Sequence, residues 1–443
     1  MNLKKRFKLT SFQIILLGFV GIILVGTILL MLPISSKSRV FTPFIDAFFT
    51  STSAVCVTGL VVYDTATYFS IFGQAVLLVL IQIGGIGVVT IASLFIILSG
   101  KKIGLSRRGT LMSALSAPSI GGIVKLTRFI IRGVLIIELI GALLMLPEFI
   151  INFGARGIWL AFFHSISAFC NAGFDIMGTE ANQFQSLTGF SSSVSINVVI
   201  ILLIVIGGIG FLVWKDVLDN KFRFSKYSMQ SKVVISITGF LIIVPALYLF
   251  IFEFKELNFL ERFLASIFQS VTTRTAGFNT IDLNNISDAG ISIMTMLMLI
   301  GGSPGSTAGG MKTTTIMVIV ATIVSVFNKK KNARLFNRRL DDTDIKVALT
   351  VFFMYISGFI LGSILINAIE GGSFKTIAFE VASAIGTVGL SLGITPSLTI
   401  ASKIILAVFM FFGRVGGLTI VYAAIGNKDP DVSKYPLERI SIG

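Results

Sequence analysis

The sequence predicts an all-α polytopic membrane protein, with eight transmembrane helices and four re-entrant loops in pseudo-fourfold arrangement. Three observations lead there: a mean hydropathy of +0.93, basic residues gathered in alternate connections, and one short motif that recurs four times. With 54% hydrophobic and 13% charged residues among 443, the chain is too apolar to present an ordinary water-facing surface. Apolar runs long enough to cross a hydrocarbon core of roughly 30 Å recur from end to end. They leave no room for a separate water-soluble domain, so any nucleotide-sensing part is expected on another chain.

The first run, Leu9 to Leu32, follows Lys4, Lys5, Arg6 and Lys8. It is too long for a secretory signal and has no small-residue cleavage site, so it reads as a retained helix. Further spans are expected near 74–99, 129–147, 194–214, 233–251, 291–327, 346–366 and 402–425. Charge supports that count. Of 36 Lys and Arg, most fall at the N-terminus, in Lys101–Arg132, Lys215–Lys232 and Lys329–Lys346, and in the C-terminal tail, whereas the alternate loops hold only Lys37, Arg39, Arg156, Lys255, Arg262, Lys375 and Lys403. By the positive-inside rule the rich segments are cytoplasmic, which places both termini inside and requires an even number of crossings. The net charge of +15 is therefore a topology signal, and no nucleic-acid partner is expected. Two cysteines and one histidine supply neither a disulfide framework nor a conventional zinc site. An intramembrane enzyme would need a paired nucleophile and base or a metal cluster within the spans. The sequence offers neither, and the chain does not read as an enzyme.

Between the members of each helix pair lies a segment too short to span. The four read Ser53-Ala-Val-Cys-Val-Thr-Gly-Leu60, Ser167-Ala-Phe-Cys-Asn-Ala-Gly-Phe174, Thr273-Arg-Thr-Ala-Gly-Phe-Asn279 and Ser383-Ala-Ile-Gly-Thr-Val-Gly-Leu390. Aligned on Gly59, Gly173, Gly277 and Gly389, they define four helix–loop–helix units at near-constant spacing. The units are residues 1–100 with a loop at 43–60, 101–220 with a loop at 157–174, 221–330 with a loop at 261–278, and 331–425 with a loop at 374–390. A cytoplasmic tail, 426–443, follows. Irregular backbone at membrane depth survives only where protein buries it or where it lines a watery cavity. Four such loops in phase imply packing around one axis, which makes a pore.

A dehydrated cation needs oxygens, and carbonyls turned to an axis replace its water shell without a fixed charge in lipid. The carbonyls of Val57, Thr58 and Gly59, of Asn171, Ala172 and Gly173, of Thr275, Ala276 and Gly277, and of Thr387, Val388 and Gly389 are the expected filter. Glycine permits the backbone angles and the close approach. The competing reading makes these glycines the turns of four packing helices.

These loops resemble those of the bacterial Trk/Ktr and plant HKT superfamily of potassium transporters, most closely the KtrB membrane subunit group, over practically the whole chain. The resemblance implies potassium as substrate, bound at the filter residues, with no cofactor in this chain. In that family a serine in place of the first filter glycine goes with sodium preference. Gly59 therefore implies potassium permeation, and one glycine per loop implies modest discrimination against sodium, with sodium expected as a modulator. A sodium-permeating or weakly selective member is the alternative. The resemblance also implies a homodimer, a cytoplasmic ring of nucleotide-binding regulatory subunits of the KtrA or KtrC kind, and residence among the lipids of a bacterial plasma membrane.

The run 291–327 is too long for one straight span at about 1.5 Å per residue. Its middle, Gly301, Gly302, Ser303, Pro304, Gly305, Ser306, Thr307, Ala308, Gly309 and Gly310, disfavours helix and reads as a loop across the ion path. The resemblance supports a gating loop here; the competing reading is a kink without a gating role. A phosphate loop is set aside because the lysine in Gly309-Gly-Met-Lys-Thr313 is displaced by one residue and no strand precedes it.

Three basic residues, Arg274, Lys312 and Arg414, fall at membrane depth, where charge is costly and seeks partners. Arg414 matches the family arginine that faces the gating loop. It is expected to contact loop carbonyls and raise a barrier to cations, or else to satisfy helix-end carbonyls. Arg274 is expected to pair with Glu380. Cys56 and Cys170, both three residues before a glycine, read as small packing residues before a redox switch. His164 reads as a satisfied buried side chain before a ligand. Asp64, Asp175 and Asp282 follow three loops on the outer side, either drawing cations to the mouth or simply solvated.

Overall fold

The computed structural model describes residues 9–99, 103–116, 121–221, 223–425, 436 and 438. The basic N-terminal residues and almost all of the tail lie outside these. Among the described residues the chain is helical, with only a small hairpin pairing Arg334–Leu335 with Arg338–Arg339. The same sequence of elements occurs four times: a long helix, a short buried helix ending in a glycine loop, and a second apolar helix that breaks partway.

The first set comprises α1 (Ser11–Met31), α2 (Phe44–Val55), α3 (Ile71–Ile86) and α4 (Val88–Leu98). The second comprises α5 (Ile123–Phe153), α6 (Arg156–Phe169), α7 (Val194–Gly208) and α8 (Phe211–Asn220). In the third, α9 (Met229–Tyr248) runs on as a π turn to Glu253 and is followed by α10 (Phe259–Thr272), α11 (Asp288–Leu299) and α12 (Thr313–Phe327). The fourth has α13 (Asp342–Glu370), α14 (Phe374–Gly386), α15 (Ile400–Val415) and α16 (Gly417–Ile425). By length and composition, α1, α5, α9 with its π turn, and α13 are able to cross a membrane, and three bent pairs bring the number to seven.

Three expected spans are not single helices. The runs 74–99, 194–214 and 402–425 each turn through nearly a right angle, by 98°, 98° and 93°. The cause is one glycine in the left-handed region: Gly87 at φ 95°, Gly210 at 96° and Gly416 at 88°. The break expected in 291–327 is present and longer, separating α11 from α12. At its other end each second helix starts on a side-chain cap: Ser70, Ser193, Ser287 and Thr399 accept N–H bonds from Gly73, Ile196, Gly290 and Ser402.

Polarity is distributed inside out relative to a soluble protein. The long helices expose Leu135, Ile136, Leu139, Leu143 and Leu144 of α5, and Ile360, Leu361, Ile364 and Leu365 of α13, as a lipid-facing surface requires. The short helices bury their hydroxyls, and those hydroxyls bind their own set together. Ser51 donates to the Ile23 carbonyl at 2.8 Å, Ser165 to Glu138 at 2.6 Å and Ser270 to Ile242 at 2.7 Å. The fourth set has Val381 at this place, and there the methyl groups pack toward Gly362. A second contact recurs where the second helix touches the end of the short one. A Cβ at Gly84, Gly207 or Gly413 would run into the backbone carbonyl of Val55, Phe169 or Ile385.

Gly84→Val is expected to lower the thermal stability of the detergent-solubilised protein strongly, because overpacking of this kind costs about 1–3 kcal/mol or more. Gly21→Val, where a Cβ meets nothing within 4 Å, is expected to leave it unchanged. Equal unfolding temperatures for the two variants would contradict the packing described.

A ring of glycine carbonyls and the loop beneath it

Each short helix delivers its chain to the centre in the same way. The residue two before the glycine, Val57, Asn171, Thr275 or Thr387, has a φ between 52° and 74°, and the glycine itself between 67° and 94°. Side chains rarely adopt this region, yet all four sets adopt it at one place. Alternating the sign of φ turns successive peptides to the same side.

Most of the N–H groups are tied down within their own set. Thr58, Ala172 and Val388 donate to the carbonyls of Ser53, Ser167 and Ser383, each at 2.8 Å, and Ala276 donates to Thr272 at 2.9 Å. The glycine N–H of sets one and four goes to the hydroxyl of Ser53 or Ser383 at 3.0 Å. In sets two and three, Ser167 and Thr272 instead donate to the carbonyls of Phe174 and Phe278 at 2.6 and 2.7 Å. Among the described residues, none of the carbonyls of Val57 to Gly59, Asn171 to Gly173, Thr275 to Gly277 or Thr387 to Gly389 accepts a hydrogen bond.

The four glycines meet. A Cβ built on Gly59 would lie 2.6 Å from the Ala172 oxygen and 3.1 Å from the Gly173 Cα, and one on Gly173 would lie 2.7 Å from the Ala276 oxygen and 3.0 Å from the Gly277 Cα. One on Gly277 would strike the Val388 carbonyl with Gly389 at 3.2 Å, and one on Gly389 the Thr58 carbonyl with Gly59 at 2.9 Å. The ring therefore closes in chain order, and each member is glycine for two reasons, its φ and the absence of room. The twelve residues expected as a filter are brought together here.

On one side the ring opens into a cavity of about 450 Å³ lined by the four glycines together with Asp64, Asp175, Asp282 and Asn279. Asp64 is held by the N–H groups of Thr67 and Phe184 at 2.7 and 2.8 Å. Burial pushes the Asp175 carboxyl up to about 7; its Met177 N–H bond opposes that rise, and the Asp64 carboxylate adds to it.

On the other side lies the segment between α11 and α12. A bridge between Ile300 and Met311 closes its base, with Gly301 N–H on the Met311 carbonyl at 2.8 Å and Thr313 N–H on Gly302 at 3.1 Å. The Ser303 and Thr313 hydroxyls meet at 3.1 Å, and Ser306 donates to the Ser303 carbonyl at 2.7 Å. The breaks of neighbouring helices hold its length. Ser303 and Thr307 donate to the carbonyls of Gly208 and Gly207, Phe211 donates to Gly305, next to Pro304, and Gly310 donates to Gly413. Its tip reaches the ring. Thr307 Oγ1 accepts from Asn171 Nδ2 at 3.1 Å and donates to the Phe169 carbonyl at 3.0 Å, while Gly309 lies against the Thr387 side chain.

Arg414 ties this segment to the opposite wall. Its guanidinium donates to the Thr307 carbonyl, to Gly84, and at 2.9 Å to Gly85. Lys312 donates to the carbonyls of Ala308 and Gly309 at 2.8 and 3.4 Å. The expected gate residues thus form one hydrogen-bonded body with Arg414 beside it.

Arg274 and Glu380 do not pair. Arg274 Nη2 reaches Thr238 Oγ1 at 3.4 Å and its Nε has no partner among the described residues. Glu380 accepts from Ser391 and Thr395. Arg274 stands three residues before its glycine and Glu380 nine before its own, so the two side chains leave short helices at different depths. His164 is held by the Leu160 carbonyl at 2.8 Å and the Ile176 N–H at 3.5 Å. Cys56 and Cys170 are buried free thiols.

Two features escaped the sequence reading. Glu138, buried in α5, accepts from Gln82 Nε2 at 3.0 Å and lies 3.9 Å from the Cys170 sulfur. A lone carboxylate inside an apolar run was the available signal. The second is the recurrence Gly84-Gly-Ile-Gly87, Gly207-Gly-Ile-Gly210 and Gly413-Arg-Val-Gly416, which marks the three right-angle breaks and places Arg414 where the other two have glycine.

Comparison with known proteins agrees with this geometry. Residues 5–433 match the family model described as TrkH, cation transport protein. The chain is 40% identical to the potassium/sodium uptake protein NtpJ of Enterococcus hirae, covering 100% of this chain and 99% of that one. It is 38% identical to the Ktr system potassium uptake protein B of Bacillus subtilis, covering 97% and 96%. Among solved structures, the potassium transporter TrkH from Vibrio parahaemolyticus superposes with a TM-score of 0.73 at 20% identity, over 95% of this chain and 86% of that one. The chain is a multi-pass membrane protein of the TrkH family of cation transport proteins, a family of transporters and not of enzymes.

Proposed function

We propose that this protein takes up potassium through a central pore whose filter is the ring at Gly59, Gly173, Gly277 and Gly389. The observation that carries the reading is the closed ring of carbonyls that accept no hydrogen bond within the described residues while most of the N–H groups beside them are tied back. Buried acceptors without donors are costly, and a dehydrated cation is the partner that offsets the cost. In this reading the four long helices and the outer parts of the four second helices make eight crossings, and the short helices with their loops are re-entrant. The short helices end at the loops, so their C-terminal partial negative charge favours a cation beside the ring.

The segment Gly301–Gly310 with Lys312 is the gate in this reading, because it lies directly under the ring, is bonded to the second loop at Asn171 and lies against the fourth at Thr387. Arg414 holds it shut and adds positive charge beside the path. Sodium as a second permeating ion is supported by the single glycine per loop and by the relative named as a potassium/sodium uptake protein. The relatives named as parts of a Ktr system support a regulatory subunit that acts from the cytoplasmic side, and we place the protein as a homodimer in a bacterial plasma membrane with both termini inside.

Rubidium and sodium uptake into proteoliposomes tests the filter. Gly59→Ser is expected to shift preference toward sodium several-fold, since a side chain there must displace the Ala172 carbonyl; unchanged selectivity in a folded variant would refute the assignment. For the gate, deletion of residues 303–309 and Arg414→Gln are each expected to raise flux in the absence of any regulatory subunit, the deletion more. Flux that stays at the wild-type level or vanishes in a folded deletion variant would count against it.

A further inference from the structure

One buried polar side chain stands at an equivalent place behind each loop. It lies three residues before the serine or threonine that anchors the loop: Thr50 before Ser53, His164 before Ser167, Gln269 before Thr272 and Glu380 before Ser383. All four are at most 1% exposed. Their connections differ. Thr50 donates back to the Asp46 carbonyl of its own helix. His164 uses Nδ1 on its own helix, which leaves Nε2 to accept from Ile176, three residues past Gly173. The Gln269 amide has no partner among the described residues.

Glu380 makes the fullest connection. One carboxylate oxygen accepts from the Ser391 hydroxyl at 2.8 Å and the other from the Thr395 hydroxyl. Ser391 Oγ in turn accepts the Gly393 N–H at 3.0 Å. Ser391, Gly393 and Thr395 all line the outer cavity, and Ser391 lies two residues past Gly389. The ion pairs among the described residues are Lys375 with Asp288 and Lys403 with Asp46, so Glu380 has no cation beside it. Its carboxyl is stabilised by hydroxyls of the outgoing chain alone.

This connection matters because the two limbs of a loop are held differently. The incoming limb is tied by backbone N–H groups to the end of the short helix. The outgoing limb starts at a glycine with little conformational preference, and ion discrimination requires its carbonyl to stay in place. We propose that Glu380 is a positioning residue for ion selectivity: through Ser391 and Thr395 it fixes the outgoing limb of the fourth loop without touching the ion. The inference rests on the filter reading given above.

The test measures rubidium and sodium uptake in proteoliposomes, and thermal unfolding in detergent, for Glu380→Gln, Glu380→Ala, the pair Ser391→Ala with Thr395→Val, and the triple variant. Glu380→Gln keeps the shape and one oxygen acceptor and should retain most of the selectivity. Glu380→Ala should lower the preference for rubidium over sodium about tenfold, as loss of one buried hydrogen bond implies. The hydroxyl pair should lower it by a similar factor, in a protein that still folds but unfolds at a lower temperature because the carboxyl is left without partners. The triple variant should go no further, as expected of groups that act as one unit.

A folded hydroxyl pair with wild-type selectivity would overturn the proposal, and so would additive effects in the triple variant. If Glu380→Ala does not fold, the hydroxyl pair decides alone. A shift in Gly59→Ser without one in the hydroxyl pair removes the brace and leaves the filter standing. No shift in either removes both.

Discussion

Four backbones approach one another at the centre of this protein more closely than any side chain allows. The glycine of each set faces the carbonyl just before the glycine of the next, and the rest of the molecule serves to hold that arrangement. Helix ends take up the N–H groups, hydroxyls of the short helices fasten them to their own long helices, and the second helices abut them through Gly84, Gly207 and Gly413. The bilayer makes such support obligatory, since no water enters from the side to satisfy an irregular backbone. An outer shell of apolar helices and an inner lining of serine and threonine follow from the same constraint.

The centre was the most legible part of the fold. Left-handed backbone and close approach demand glycine whatever surrounds it, so Gly59, Gly173, Gly277 and Gly389 stood out from the sequence alone. The loop after α11 was legible for a related reason, because its glycines and Pro304 exclude helix. The near-right-angle breaks were not. Hydropathy measures how apolar a run is and carries no information on its direction, so α3 with α4 reads the same straight or bent. Only the recurrence of Gly84-Gly-Ile-Gly87 at Gly207 and Gly413 carried the signal. Glu138 stood out as a lone carboxylate in an apolar run, but its partner, Gln82, lies in another set, and nothing in the sequence joins the two. The expected pairing of Arg274 with Glu380 failed because position within a repeat unit does not fix depth along the axis when the two residues leave different turns of their helices.

The four sets are alike in geometry and unlike in chemistry. Set four replaces the serine that fastens the short helix with Val381, and carries arginine where sets one and two have Gly85 and Gly208. Set three departs most, extending a one-residue bend into the whole stretch from Ile300 to Lys312. Two of these departures, Arg414 and the long break of set three, converge on one place. The Arg414 guanidinium meets Thr307 there, and the glycine breaks of sets one and two supply the carbonyls around it. Quasi-equivalence builds the ring, and its local failure builds what lies beneath.

The bridge between Ile300 and Met311 has a mechanical consequence. With both ends side by side, the stretch is a closed loop held at its base, along its length by Gly207, Gly208 and Gly413 and at its tip by Asn171, so it cannot shift as a whole without breaking bonds to sets two and four.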